Sequence, residues 1–364
     1  MNILVLNWRD PKHPLAGGAE ISLLQHSKYW VKKGANVTWI SANFDKENKD
    51  ELRDNIRFIR KGNQATIHFL AFISFLKGDL NKYDLVIDSF HFIPFLTPLY
   101  IKKKRVIALI NEVAGRLWFA NFPFPIAVLG YYLENLFLSL YKKNKFITSS
   151  ESTKRDLVKN GIPVRNITII HHGLIVPINM PELMKEKKPT ILFINRISND
   201  KGIKDTLLAF ELLKRKIDDL NLWIAGKEEK AGSLQRIISE ILPNERGVRY
   251  FGYVSEKMKF SIMRRSWVLV YPSLKEGWGL TVIEAGSQGT PTVGYQVEGL
   301  TDSVIDENTG LLTDLNYKSL AEALERLLTD KKIYKKLSFN AACWARKFNW
   351  DKSGESSWQL INEN

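Results

Sequence analysis

Short apolar runs alternate with longer amphipathic stretches through the first 170 residues. Residues 2–8, 36–41, 56–59, 84–90, 105–110, 145–148 and 167–170 are rich in Ile, Val and Leu and end at turn residues. That pattern predicts buried strands. Between the first two, Gly17 and Gly18 open a segment with Ile21, Leu24 and Val31 on one face and Gly34 as its stop, which predicts a helix. Residues 67–76 predict an apolar helix, and Ser152 caps another that runs to Asn160-Gly161. Residues 43–54 carry mixed charge and read as a loop.

Residues 174–189 break the pattern. They hold Pro177, Pro181, Pro189 and the run Lys185-Glu186-Lys187-Lys188, a linker by composition. Alternation then restarts, with strands at 191–194, 222–225, 248–254 and 267–271. Helices follow to residue 216, over 233–242 and 280–289, and from 319 onward, with a last one over 350–361. Strand–helix alternation that runs twice predicts an α/β protein with two parallel sheets. A chain of 364 residues can build a core for each. The expected domains are 1–173, with 350–364 returning to it, and 190–349.

The chemistry centres on Glu276-Gly277-Trp278-Gly279-Leu280-Thr281-Val282-Ile283-Glu284. This stretch leaves a strand and enters a helix, so it sits at the carboxyl end of a parallel strand, where ligands bind. Gly277 and Gly279 let a ligand approach the backbone, and the helix start offers free N–H groups that suit a phosphate. Glu284 suits a ribose diol and Glu276 the hydroxyls of a sugar; a solvated Glu276 and a helix-surface Glu284 are the plain alternative. Arg196 and Lys201 share another strand-to-helix loop. A guanidinium grips a phosphate with two N–H bonds and an ammonium adds a point charge. Gly226 closes a strand, and the turns at Gly226 and at Tyr253-Val254 are candidates for base contacts. Gly17-Gly18 repeats the strand–glycine–helix geometry, although a plain turn reads the same way. His91 and Asn111-Glu112 end two strands of the first half.

The central stretch resembles the donor-site motif of family 4 of the retaining glycosyltransferases. Ala285-Gly286-Ser287-Gln288-Gly289-Thr290-Pro291-Thr292-Val293, Gly17-Gly18-Ala19-Glu20, Lys201-Gly202, Phe251-Gly252-Tyr253-Val254, Glu298-Gly299-Leu300-Thr301-Asp302 and Asn308-Thr309-Gly310-Leu311-Leu312 extend the likeness over nearly the whole chain. The resemblance implies the GT-B fold: two Rossmann-like domains facing each other across a cleft, with a C-terminal helix crossing back to the N-terminal domain. It implies a nucleoside-diphosphate sugar as donor, UDP-sugar before GDP-sugar. Gly17, Gly18, Arg196, Lys201, Gly226, Tyr253, Val254, Glu276, Gly277, Trp278, Gly279, Leu280 and Glu284 would hold the donor, with Arg196, Lys201 and Glu276 as the catalytic set. His91, Asn111 and Glu112 would lie on the acceptor side. Asn111 stands where many members carry histidine; an amide hydrogen-bonds a hydroxyl but is not protonated near neutral pH. Asn195 and Glu298 stand where glycine is usual.

Charge and composition narrow the partners. Of the net +14, residues 1–180 carry +11, from 25 Lys and Arg against 14 Asp and Glu. Such a field attracts an anionic or lipid-linked acceptor or a membrane surface. Equally, it can be solubility charge. No motif for nucleic acid is present. Residues 118–141 are the most apolar stretch, an aromatic, proline-bearing loop followed by a helical run from Ile126. Lys142, Lys143 and Lys145 follow, and Lys102-Lys103-Lys104-Arg105 forms a second basic cluster. Pro123, Pro125 and Glu134 interrupt the stretch, so it is no membrane span. It suits either a membrane interface or a core helix. A single cysteine, Cys343, fits a reducing compartment, and residues 1–7 read as a strand rather than a leader. The expectation is a cytoplasmic protein at the inner face of the membrane, monomeric or weakly dimeric. No Asp-x-Asp occurs, so no metal or other cofactor is expected. A nicotinamide fingerprint fails at Val282, where its third glycine belongs. A nucleotide-sugar 2-epimerase on the same fold and a non-catalytic sugar-nucleotide-binding relative are the competing readings.

Overall fold

The computed structural model describes residues 1–14, 16–45, 47–101, 105–178, 183–228, 231–243 and 247–363. Lys102, Lys103 and Lys104 of the second basic cluster, and Pro181, lie outside the described residues. The chain divides into two compact units, Met1–Gly173 with Asn349–Asn364, and Leu174–Phe348.

In the first unit the elements run β1 (Asn2–Leu6), α1 (Gly18–Lys32), β2 (Asn36–Ser41), β3 (Asp50–Arg53), β4 (Ile56–Arg60), α2 (Ile67–Leu76), β5 (Leu85–Ser89), β6 (Arg105–Leu109), α3 (Leu117–Asn121), α4 (Phe124–Leu140), β7 (Lys145–Thr148), α5 (Glu151–Lys159) and β8 (Ile167–Ile169). The sheet order is β3-β4-β2-β1-β5-β6-β7-β8, parallel except at the β3 edge. Ile3 and Val5 enter the core on one face and Leu4 and Leu6 the core on the other. That is the period of a strand covered on both sides, which explains its near-continuous apolar run.

The second unit runs β9 (Thr190–Ile194), α6 (Ile203–Lys214), β10 (Asn221–Ala225), α7 (Ser233–Ile241), β11 (Val248–Tyr250), α8 (Glu256–Arg265), β12 (Val268–Tyr271), α9 (Leu280–Ser287), β13 (Thr292–Tyr295), α10 (Leu300–Ser303), β14 (Gly310–Thr313), α11 (Tyr317–Thr329) and α12 (Lys331–Ala345). Its six strands are all parallel, in the order β11-β10-β9-β12-β13-β14. The chain then returns to the first unit as α13 (Trp350–Asn362). There α13 lies on α1. Trp30 Nε1 donates to Ser357 Oγ at 2.9 Å, and Arg105 donates to the last carbonyls, Ile361 O at 3.0 Å and Leu360 O at 3.3 Å. A cation at a helix C-terminus satisfies carbonyls that have no partner within the helix. Gly354 makes the seam close, since a Cβ there would meet the Tyr29 ring at 2.3 Å.

Three sequence expectations are corrected. The loop expected over 43–54 contains β3, a strand with no apolar face. It is held by a two-residue turn, Asp54-Asn55, with φ of 53° and 58°, the left-handed pair that a tight hairpin needs. Buried charge pins it as well: Arg60, fully buried, donates to Asp10 Oδ2 at 2.9 Å and to Glu51 Oε2 at 2.7 Å. The aromatic loop expected before Ile126 is helical, as α3 and the start of α4. Pro123 caps α4 and Pro125 falls in its first turn, where a missing N–H costs nothing. Nor is α4 a core helix. Its buried stripe is Ala127, Gly130, Glu134 and Leu138, with Gly130 against the Trp118 ring. Phe124, Ile126, Leu129, Tyr132 and Leu136 are exposed, at 53–74% of their surface. Finally, the linker expected over 174–189 is in its described last part, 183–189, docked on the second unit. Lys185 Nζ donates to Ser266 O and Thr290 Oγ1, both at 2.6 Å, and Glu186 N–H to Arg265 O at 2.8 Å.

Candidate functional site

In the second unit, connections leave β9 toward β10 on one side and β12 toward β13 on the other. The crevice between β9 and β12 is therefore the topological switch point, where open parallel sheets bind ligands. The loops that carry Arg196, Lys201 and Glu276 flank it. They are tied together by Leu274 N–H to Asp200 O at 2.9 Å. Gly202, with φ of 74°, lies so close to Pro272 O that a Cβ would stand 2.2 Å away. Gly226 brings the next loop in, since a Cβ there would meet Asn195 O at 1.7 Å. The Gly226 N–H bonds Gly252 O at 2.8 Å, which adds the turn of Tyr253 and Val254. Tyr253 is 81% exposed there.

The charged groups in this crevice are already paired. Lys201 Nζ meets Glu276 Oε1 at 2.7 Å with both side chains mostly buried, and Arg196 meets Asp200 Oδ2 at 3.0 Å. Glu284 is buried rather than on the helix surface, and its Oε1 accepts from Lys259 Nζ at 2.8 Å. Burial raises the Glu284 carboxyl above its usual range, and Lys259 opposes that shift. Tyr271, fully enclosed, hydrogen-bonds Glu276 and Thr281; burial first, and Glu276 next, push its hydroxyl well above the ordinary value. Gly279 caps α9 with φ of 82°, and Leu280 is the first residue of that helix. Gly299 seats the motif, because a Cβ there would meet Glu276 O at 2.0 Å and Gly277 C at 3.0 Å. Trp278 is buried with Ile283, Ala345 and Phe348, so its ring anchors the loop.

The corresponding switch point of the first unit lies between β1 and β5. Gly17 is the N-cap of α1, and its N–H donates to Glu20 Oε2 at 2.7 Å. Gly18 is exposed, with open space where a Cβ would stand. Glu20 Oε1 is 3.5 Å from His91 Nε2, and the His91 ring lies 5.4 Å from that of Trp8. Burial lowers the His91 pKa, against the pull of Glu20. Asn111 lies two residues beyond β6: its Oδ1 is 3.1 Å from His172 Nε2, and its carbonyl accepts from Thr153 Oγ1 at 2.8 Å. Burial drives His172 down to about 3, so its ring is neutral and its Nε2–H can donate to the amide oxygen. Glu112 is half-buried beside it.

Sequence reasoning assigned Arg196, Lys201, Glu276 and Glu284 to one site, the structure sets them around one crevice, and Lys259, Tyr271 and Glu134 were missed. Glu134 accepts from the N–H groups of Ala114 at 2.6 Å and Gly115 at 2.7 Å, holding the turn after Asn111. Lys259 and Glu134 work across 25 and 20 positions, and Tyr271 reaches Glu276 and Thr281 from the strand that precedes them. The signal that was available for Glu134 was its position, as the one carboxylate in α4.

The Glycosyltransferase Family 4 family matches residues 16–176, and Glycosyl transferases group 1 matches residues 178–344. Among curated relatives, the capsular polysaccharide biosynthesis glycosyltransferase CapM of Staphylococcus aureus is 24% identical over 218 residues, 56% of this chain and 57% of its own length. The chain thus spans little more than half of that relative. Among solved structures, sucrose-phosphate synthase from Thermosynechococcus elongatus superposes with a TM-score of 0.83 at 19% identity, over 99% of this chain and 98% of the other. HepE from Anabaena, in complex with UDP and glucose, superposes at 0.77 with 15% identity over 99% of both. With two family matches placed end to end across both units, the chain belongs to the group 1, family 4 glycosyltransferases and has the GT-B fold.

Proposed function

We propose that the chain moves a glycosyl group from a nucleoside-diphosphate sugar to an acceptor hydroxyl, with retention at the anomeric carbon and without a metal. A UDP-sugar is the favoured donor and a GDP-sugar the next. The observation that carries this is the gathering of Arg196, Lys201, Glu276, Glu284 and the α9 start at one switch point. HepE, with the same fold, holds UDP and glucose.

As the glycosidic bond breaks, negative charge grows on the leaving diphosphate. Arg196, Lys201 and the N–H groups at the α9 start stabilise that charge, an electrostatic contribution in place before reaction. The Lys201–Glu276 pair fits a donor that inserts between them, phosphate toward the ammonium and sugar hydroxyls toward the carboxylate. The leaving phosphate takes the acceptor's proton on the same face, so no protein base is required and an asparagine at 111 is tolerated. Gly226, Tyr253 and Val254 border the base.

The first unit takes the acceptor, an anionic or lipid-linked glycan. Its positive charge and the exposed apolar face of α4, with Lys142, Lys143 and Lys145 exposed just beyond, suit an anionic membrane surface. No helix among the described residues is long and apolar enough to cross a membrane. Co-sedimentation with anionic vesicles, strong at low salt and lost at high salt, is expected. Absence of binding at low salt removes the membrane from the reading.

The donor reading is tested by thermal shift with UDP, GDP, ADP and dTDP on the wild type and Glu284→Ala. A ligand at about 100 times its Kd adds roughly 2.7 kcal/mol. One nucleotide is expected to stabilise the wild type and not the variant. If none stabilises either, the donor reading fails and a non-catalytic relative takes its place.

A further inference from the structure

Glu284 reaches the crevice from α9 with only 8% of its surface exposed. A carboxylate at that depth needs a partner to stay charged. Its partner comes from outside the motif: Lys259, on α8, gives its Nζ to Glu284 Oε1 at 2.8 Å and to Glu256 Oε2 at 2.9 Å. The Lys259 side chain is itself 15% exposed and that of Glu256 is 67% exposed, so the lysine bridges a solvated carboxylate and a buried one.

We infer that Lys259 is a positioning residue for nucleotide recognition, holding Oε1 of Glu284 so that Oε2 is presented to the vicinal hydroxyls of a ribose. The inference rests on the donor reading above. Two hydroxyls donating to one carboxylate need both its charge and a fixed plane. A buried carboxyl turned by its own torsions gives neither. The Lys259 ion pair supplies both, and Ser287 Oγ, donating to Glu284 O at 2.6 Å, steadies the backbone beneath.

The groups acting on Glu284 predict a pH signature. Burial raises its pKa, Lys259 lowers it, and Glu256 raises it a little. Tyr271 on β12 also interacts with it but titrates well above the ordinary tyrosine value. Without Lys259 the carboxyl takes up a proton at higher pH, and a protonated carboxyl accepts fewer hydrogen bonds from a diol.

The test is calorimetry on the full chain with whichever of the ribonucleotides UDP, GDP or ADP stabilises the wild type, from about pH 5 to about pH 9. Lys259→Met is expected to bind on the order of tenfold or more weakly near pH 6 and to recover part of that loss near pH 9, where the carboxyl is charged again but its plane is still not held. Lys259→Arg is expected to follow the wild type. Glu256→Gln, at an exposed position that a fold tolerates, strengthens the hold of Lys259 on Glu284. It should move the acid fall in affinity to lower pH. A Lys259→Met loss equal at every pH, no loss at all, or an unmoved acid limb in Glu256→Gln overturns the inference. A wild type that binds none of UDP, GDP, ADP and dTDP overturns the donor reading and takes this inference with it. A wild type that binds, with variants that behave otherwise than stated, overturns the inference alone.

Discussion

The two switch-point crevices share a topology and differ in how they hold charge. In the second unit, four loops converge on ion pairs that are formed but breakable: Lys201 with Glu276, Arg196 with Asp200, Lys259 with Glu284. In the first unit, the side chains near β1, β5 and β6 are mostly neutral or locked. Glu20 caps α1, His91 and His172 are held below neutral pH by burial, and Asn111 is bonded to His172. A ligand with large formal charge finds three basic side chains in the second crevice, Arg196, Lys201 and Lys259, and in the first finds Arg9, stacked on Trp8 beside His91. One with hydroxyls finds donors and acceptors in either. The difference in charge follows from the residues at the strand ends, since both units are built on parallel sheets with a switch point.

The strongest way to break the comparison is to unseat the second crevice. Gly299→Ala puts a Cβ 2.0 Å from Glu276 O at a φ of 78°. The combined clash and left-handed strain should cost roughly 2–5 kcal/mol. Denaturant unfolding should show that loss together with lost nucleotide stabilisation; a variant of native stability that still binds would show that the loop has slack. Next, Lys201→Ala removes one stabilising charge and should lower turnover about 10²–10³-fold, worth about 3–4 kcal/mol. Steady-state kinetics with the identified donor checks it, and an unchanged turnover would mean Lys201 serves only Glu276.

Acid should separate the units. His26 and His172 are buried in the first unit, held by burial at about 4 and about 3 against an ordinary 6.5. Both bind protons more readily when unfolded. Their stability contribution is therefore complete above about pH 6.5 and is lost as pH falls toward 4 and then 3. His26 alone accounts for roughly 3 kcal/mol at its acid limit. Between pH 7 and pH 4, hydrogen-exchange protection, corrected for the intrinsic pH dependence of amide exchange, should fall first in α1 and α13. Protection that falls first around α9 would contradict this. The smallest effect belongs to Asn111→Ala. It removes one partner of a buried hydrogen bond and should cost about 1 kcal/mol of stability. It should leave nucleotide affinity unchanged and move only the acceptor's KM.

How much of this was legible depends on sequence distance. Strand periods, the glycine stops, the loop of Arg196 and Lys201 and the motif from Glu276 to Glu284 are local, and they pointed to the sheets and to four of the crevice's charged residues. The pairing of Lys259 with Glu284 spans 25 positions and that of Glu134 with Ala114 spans 20. No local pattern marks the partner of either one, although Glu134 stands out as the one carboxylate of an apolar helix. β3 was invisible for another reason: its strand is made by a turn and by ion pairs to Arg60 and Arg57 rather than by an apolar face. Composition misled at α4. An apolar helix suits a core, yet half of its buried stripe is small, Ala127 and Gly130, and its large side chains face outward.

The return of α13 has a consequence for synthesis. The second unit is one continuous segment and has all its strands and helices once Phe348 has emerged. The first unit, although translated earlier, still lacks the helix that covers His26, Trp30 and the Tyr29 ring. The later-made half can therefore reach its final form first. The half that begins the chain waits with a solvent-open seam on α1 until α13 docks on it.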